Sequence, residues 1–283
     1  MVRLREPSPS PSKAKPRHVI AVVNQKGGVG KTTTAVNLAA SVAAAERRTL
    51  LLDMDPQGNA SSGVGVHPRT VEKSVYDALI GRATLHEVLV GTEIASLFVA
   101  PATQDLVAAE LELVDDPDRF TRMKSALAAL PEEDAFEYVF IDCPPSLGIL
   151  TVNALNAADR VLIPLQCEYY ALEGLTHLMA TIDRVKNGMN PDLEIEGIVL
   201  TMFDARNNLA HQVAEEVRRH FRVFESVIPR NVRLSEAPSH GKPVILYDVQ
   251  SRGAQGYLSL ARELLQGPRP PMGAGGEQEK AHA

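Results

Sequence analysis

The chain of 283 residues is long enough to bury a full core, and 45% apolar with 23% charged residues is the balance of an ordinary globular protein. Its 29 Lys and Arg against 35 Asp and Glu give a net charge of −6, which excludes a protein that coats nucleic acid with its whole surface. Two cysteines, Cys143 and Cys167, and no long apolar run near the N-terminus argue against a disulfide scaffold, a signal peptide and a membrane span, so a cytoplasmic setting is expected.

Residues 1–17, "MVRLREPSPSPSKAKPR", hold five Lys/Arg against one acid and are rich in Pro and Ser, the composition of a disordered basic arm. Short apolar runs then alternate with helical patterns. The predicted strands are "HVIAVV" (18–23), "TLLLD" (49–53), "SLFVA" (96–100), "YVFID" (138–142), "RVLIPL" (160–165) and "EIEGIVLTM" (194–202), with a last short one at "ESVIP" (225–229). They are rich in Val, Ile and Leu with little alternation, as in strands covered on both faces. Leu172, Leu175, Met179, Ile182 and Val185 form a helical stripe after the fifth of them. Residues 204–252 hold eight basic against six acidic side chains, and residues 267–283 read as a second disordered tail. This order predicts one α/β domain over 18–266, a mostly parallel twisted sheet flanked by helices on both faces.

The segment "NQKGGVGKTTT" (24–34) lies between a predicted strand and a predicted helix. Gly27, Gly28, Val29 and Gly30 let backbone N–H groups turn onto anionic oxygens, with the helix N-terminus behind them. Lys31 is positioned for the β- and γ-phosphates, Thr32 for Mg²⁺, and Thr33 completes the loop. The usual pattern G-x-x-x-x-G-K-[ST] fails at its first glycine, where Gln25 stands, followed by the additional cation Lys26. Asp142 ends a strand, where a carboxylate reaches the metal through water. Asp53 and Asp55 follow the second strand and alternate onto one side, towards the loop. One of them can orient the attacking water, and Asp53 is a further candidate for the metal sphere.

Taken together, "KGGVGKTT", "DMDPQGN", "IDCPPSLG", "LTMFDARNNL" and "IPRNVRLSEAPSHGKP" resemble the ParA/Soj branch of the deviant Walker-A ATPases, over about residues 18–265. The resemblance implies MgATP as ligand and a nucleotide-sandwich homodimer that binds double-stranded DNA without sequence preference. It also implies slow hydrolysis stimulated by a ParB-type activator protein, and a nucleoid-associated location. It gives Lys26 the phosphates of the opposite subunit's nucleotide, and requires Gly27 to stay small for closure. Asp55 is assigned to hydrolysis but not to dimer formation, and Pro229 to Asn231 to the neighbourhood of the adenine. Lys26, Lys31 and Asp55 are thus the expected catalytic set. Arg206, Arg218, Arg219, Arg222, Arg233 and Arg252 are the expected DNA-binding set, with Arg218 and Arg222 on one helix face. Few aromatics interleave with them, which fits duplex phosphate contact.

Other readings share the loop. A membrane-positioning ATPase of the MinD kind needs a C-terminal amphipathic helix, and the tail "GPRPPMGAGGEQEKAHA" has no apolar stripe. An iron–sulfur ATPase needs two converging cysteines per chain, which the separate settings of Cys143 and Cys167 do not suggest. No substrate-specific motif argues for a biosynthetic ligase. Positioning of a protein cargo stays open, because cargo is set by a partner's surface.

Overall fold

The structure, a computed structural model, describes residues 18–267. The strands are β1 (His18–Val22), β2 (Thr49–Asp53), β3 (Val90–Gly91), β4 (Leu97–Ala100), β5 (Tyr138–Asp142), β6 (Arg160–Gln166) and β7 (Glu194–Thr201). They form one sheet in the order β3-β4-β2-β5-β1-β6-β7, in which only the β3–β4 pair is antiparallel.

Period-two alternation explains why the strands read as uniformly apolar. Ile20, Val22, Leu51, Phe140, Leu162 and Val199 join one buried cluster, while Val19, Ala21, Leu50, Leu52, Ile141 and Ile163 join another across the sheet. Each face needs a cover, and helices supply it. Helices Lys31–Ala44 and Arg252–Gln266 lie on one face, tied by the Thr34 and Tyr257 hydroxyls at 3.1 Å. Helices Ile149–Ala157, Ala171–Gly188 and Asn208–His220 pack on the other.

Three sequence expectations change. The buried stripe of helix Ala171–Gly188 is Ala171, Leu175, Leu178, Ile182 and Val185; Leu172 is exposed and Met179 only partly buried. The helix is rotated so that small Ala171 faces the sheet. The segment 225–229 is not a strand. The chain around it meets β7 and the residues after β7 only through isolated bridges, Ile198–Val223 and Phe203–Pro229, and Pro229 has no N–H with which to extend the ladder. The two-residue edge strand β3 is too short to carry a sequence signal. The expectations for residues 1–17 and for the tail beyond Gly267 lie outside the described residues. Among the described residues no helix is long and apolar enough to cross a membrane.

The register matters most at the carboxyl ends of the central strands. Asp142 pairs with Val22 on one side and with Asp53 on the other. The two acids therefore stand side by side where β1 gives way to the glycine loop.

Candidate functional site

The glycine loop is held from below by hydrogen bonds to β6 and β7. Asn24 donates to the Pro164 carbonyl at 2.8 Å and accepts from the Lys26 N–H at 3.0 Å. The Thr201 hydroxyl, at the end of β7, donates to the Val29 carbonyl at 2.8 Å. Gly28 and Gly30 have φ of 75° and 88°, so these two positions require glycine. Gln25 is not among the residues with positive φ, which explains why the glycine of the usual pattern is dispensable there. A Cβ added at Gly27 would meet nothing within 4 Å, so this chain alone does not demand a glycine at that position.

The two lysines of the loop occupy opposite settings. Lys31 is buried and donates to the Lys26 carbonyl at 3.1 Å. Burial pushes its pKa below the ordinary lysine value, opposed most by Asp142. Lys26 points outward and pairs with Glu168, an acid just past the end of β6. The side chains of that pair are 42% and 47% exposed. Sequence reasoning missed Glu168, although ligand sites in open α/β sheets gather beyond the carboxyl ends of strands and "LQCEYY" ends one.

Asp142 is fully buried, and neither carboxylate oxygen has a hydrogen-bond partner. Thr32 lies close enough to favour the charged form, but its hydroxyl does not reach hydrogen-bond geometry. Burial first, then the neighbouring Asp53, pushes the Asp142 pKa well above the carboxylate range. A buried, unpartnered acid beside a hydroxyl and an anion-binding loop fits a hard divalent cation with oxygen ligands.

Asp53 has a different setting from the one expected. It too is buried, and burial pushes its pKa up to about 6, against the hydrogen bonds that stabilise its charge. Those bonds come from the Ser61 N–H at 2.8 Å, the Ser61 hydroxyl at 2.6 Å and the Asp55 N–H at 3.1 Å. Asp53 therefore clamps the 55–61 turn rather than projecting into the loop mouth, and Ser61 is a residue that the sequence did not single out. Asp55 is less buried and accepts from the Gln57 N–H at 2.9 Å. Cys143 and Cys167 are buried free thiols, and no cluster of metal-ligating side chains occurs among the described residues.

Pro229 sits beside Phe203, at the carboxyl end of β7. Asn231 caps the helix Val232–Glu236, accepting from the Arg233 N–H at 3.0 Å. Between β7 and Phe203, Met202 holds φ of 48°, a strained backbone for a side-chain-bearing residue and one that no sequence pattern announced.

The expected basic set divides. Arg218 and Arg252 are exposed and make no ion pair among the described residues. Arg206 pairs with Asp204, Arg219 with Glu216, and Arg233 with Glu236 and Asp248, all at the surface. Arg222 is the correction. The helix ends at His220 with Phe221 extended, so Arg222 shares no helix face with Arg218. It donates to the buried Glu196 carboxylate and to the Glu196 carbonyl, both at 2.9 Å, and lies over the Phe224 ring. That is a structural anchorage.

A phosphate-type loop leaving β1 in the interior of a mostly parallel sheet, with a buried lysine and an unpartnered acid opposite, defines a phosphate-loop nucleotide-binding α/β protein. The AAA domain family matches residues 17–195. A chromosome partitioning protein ParA from Myxococcus xanthus is 60% identical over 254 residues, 89% of each chain. The sporulation initiation inhibitor protein Soj from Bacillus subtilis is 56% identical over 248 residues, 87% of this chain and 97% of its own. Among solved structures, cobyrinic acid a,c-diamide synthase from Mycobacterium smegmatis with a bound ATP analog and magnesium matches at TM-score 0.78 and 37% identity. It covers 88% of this chain and 95% of its own. The chain belongs to the ParA/Soj family of chromosome-partitioning proteins.

Proposed function

We propose that this chain is an ATP-dependent DNA-partition switch. Bound MgATP fastens two copies into a dimer that holds duplex DNA without sequence preference, and hydrolysis prompted by a ParB-type activator releases it. The observation that carries the reading is the division between the two loop lysines. Lys31 is buried with its ammonium on a backbone carbonyl, a contact that a phosphate oxygen can replace, whereas Lys26 is turned out of the loop. A second cation facing away from its own loop is suited to a phosphate arriving with another copy. Gly27, open on its outer side, is suited to the close approach that such a contact requires.

In this reading the N–H groups of residues 27 to 33 cradle the phosphates, and Thr32 and Asp142 hold Mg²⁺, Asp142 through water. The cation supplies neutralisation of the phosphate charge. Asp55 orients the attacking water, held on its turn by the Asp53 clamp. In this reading hydrolysis is slow until the activator supplies what the site lacks for the transition-state charge. Pro229 and Asn231 border the base. Arg206, Arg218, Arg219, Arg233 and Arg252 are the DNA-contacting candidates, and Arg222 is withdrawn from them. Such a protein is nucleoid-associated while loaded.

The test is duplex DNA binding with ATP, with ADP and without nucleotide, on wild type and Asp55→Ala. Wild type binds only with ATP, and Asp55→Ala stays dimeric and bound. Equal binding in all three conditions refutes the switch; an Asp55→Ala chain that is monomeric in ATP refutes the role given to Asp55.

A further inference from the structure

One surface beside the loop is not used by this reading. Of the six tyrosines and seven phenylalanines only Tyr169 and Tyr170 are exposed, 76% and 68%, although aromatic rings gain much from burial. They stand edge to face, with ring centroids 5.0 Å apart. The turn that carries them is fixed. The Glu168 carbonyl accepts from the Ala171 N–H at 2.9 Å, and Tyr170 occupies the N-cap position of the helix that buries Ala171 and Leu175. Leu172, in the first turn of that helix, is exposed as well. The pair therefore projects from a rigid base.

Glu168 fixes where this patch lies. That acid follows the carboxyl end of β6, pairs with Lys26 of the glycine loop and directly precedes Tyr169. Residues 166–183 contain no Lys or Arg, so the patch offers duplex phosphate no cation of its own. An exposed aromatic cluster with a charged rim marks a protein contact, and tyrosine is enriched at the energetic centre of such contacts. Lys26 and Glu168 give the rim one charge of each sign, which a copy of the same face can complement.

We infer, resting on the dimer reading above, that Tyr169 and Tyr170 form the apolar centre of the contact with a second copy. A phosphate delivered to Lys26 by another subunit brings that subunit onto the residues beside Lys26, and Glu168 ties Tyr169 to that spot. A twofold contact repeats at both Lys26 side chains, so both aromatic pairs are covered together. The four rings bury on the order of 600 Å², about a third of a standard interface, which leaves the remainder to the loops and the charged rim.

The chain has no tryptophan, so Tyr169→Trp introduces a single reporter. On an Asp55→Ala background, with assembly followed by sedimentation velocity, MgATP should shift the indole emission to the blue and cut acrylamide quenching severalfold. MgADP should leave both at their monomer values. Tyr169→Ala with Tyr170→Ala, on the same background, should keep its Tm and its ATP affinity as a monomer, because both side chains are exposed. It should nevertheless raise the dimer Kd at least about 30-fold. A dimer whose indole stays as quenched as in the monomer overturns the inference and leaves the switch standing, and so does an unchanged Kd in the double alanine variant. Indole protection by MgATP in a Gly27→Val chain that sediments as a monomer also overturns it, since the change then lies within one chain. A blue shift that appears only when duplex DNA or anionic vesicles are added assigns the patch to those surfaces instead. If neither the Asp55→Ala parent nor wild type dimerises in MgATP, the dimer reading itself is refuted and the contact falls with it.

Discussion

Replacing Glu168 by alanine should strengthen the ATP-dependent dimer. Lys26 is held by Glu168, and on the proposed reading it must leave that partner to meet the other subunit's phosphate. With side chains 42% and 47% exposed, the pair is worth only the 0.2 to 1 kcal/mol of a surface ion pair. Two such pairs break per dimer, so their removal returns about 0.4 to 2 kcal/mol, a roughly 2- to 30-fold lower dimer Kd. Sedimentation velocity in MgATP, on an Asp55→Ala background that prevents hydrolysis, measures this directly. The gain should vanish when Lys26→Ala is added, because Glu168 then has no lysine to hold. A Glu168→Ala chain that dimerises more weakly than its parent would show that Glu168 serves the closed dimer, and the restraining role would have to be abandoned.

Two further outcomes follow from the same geometry. Gly27→Val should fold with an unchanged Tm and still bind ATP, since its side chain meets nothing within the chain, yet fail to dimerise; a normal dimer by light scattering would refute the close-approach argument. Arg218→Ala and Arg222→Ala should separate DNA contact from stability. The first leaves Tm unchanged, weakens duplex binding and lowers its salt slope by about one. The second removes a hydrogen-bonded partner from buried Glu196 and should cost about 1 to 3 kcal/mol in chemical denaturation, softened because Arg160 still reaches that acid at 3.2 Å. A DNA defect in Arg222→Ala at full stability would restore it to the basic surface.

The sequence by itself determined the architecture and the loop. Five of the strands are uninterrupted apolar runs, because each must be covered on both faces, and uniform burial writes itself into consecutive residues. The loop was equally legible: "KGGVGKTT" dictates local backbone geometry, and Gly28 and Gly30 do take the left-handed conformation that their identity permits. Asp142 was expected at the end of an apolar strand, and β5 does end on it.

Tertiary structure decided everything that depends on which strands become neighbours. Asp53 looked like a partner of Asp55, yet parallel pairing with β5 sets it beside Asp142, and Ser61 then turns it into a clamp. Glu168 is 142 residues from Lys26 and meets it only because β6 lies next to β1. Arg222 was read as one of a basic row, but a helix that stops at His220 and a buried acid on β7 claimed it. Local rules fix the conformation of a segment and the chemistry it can offer. The partner of each charge is chosen by strand order and burial, which no single stretch of sequence contains.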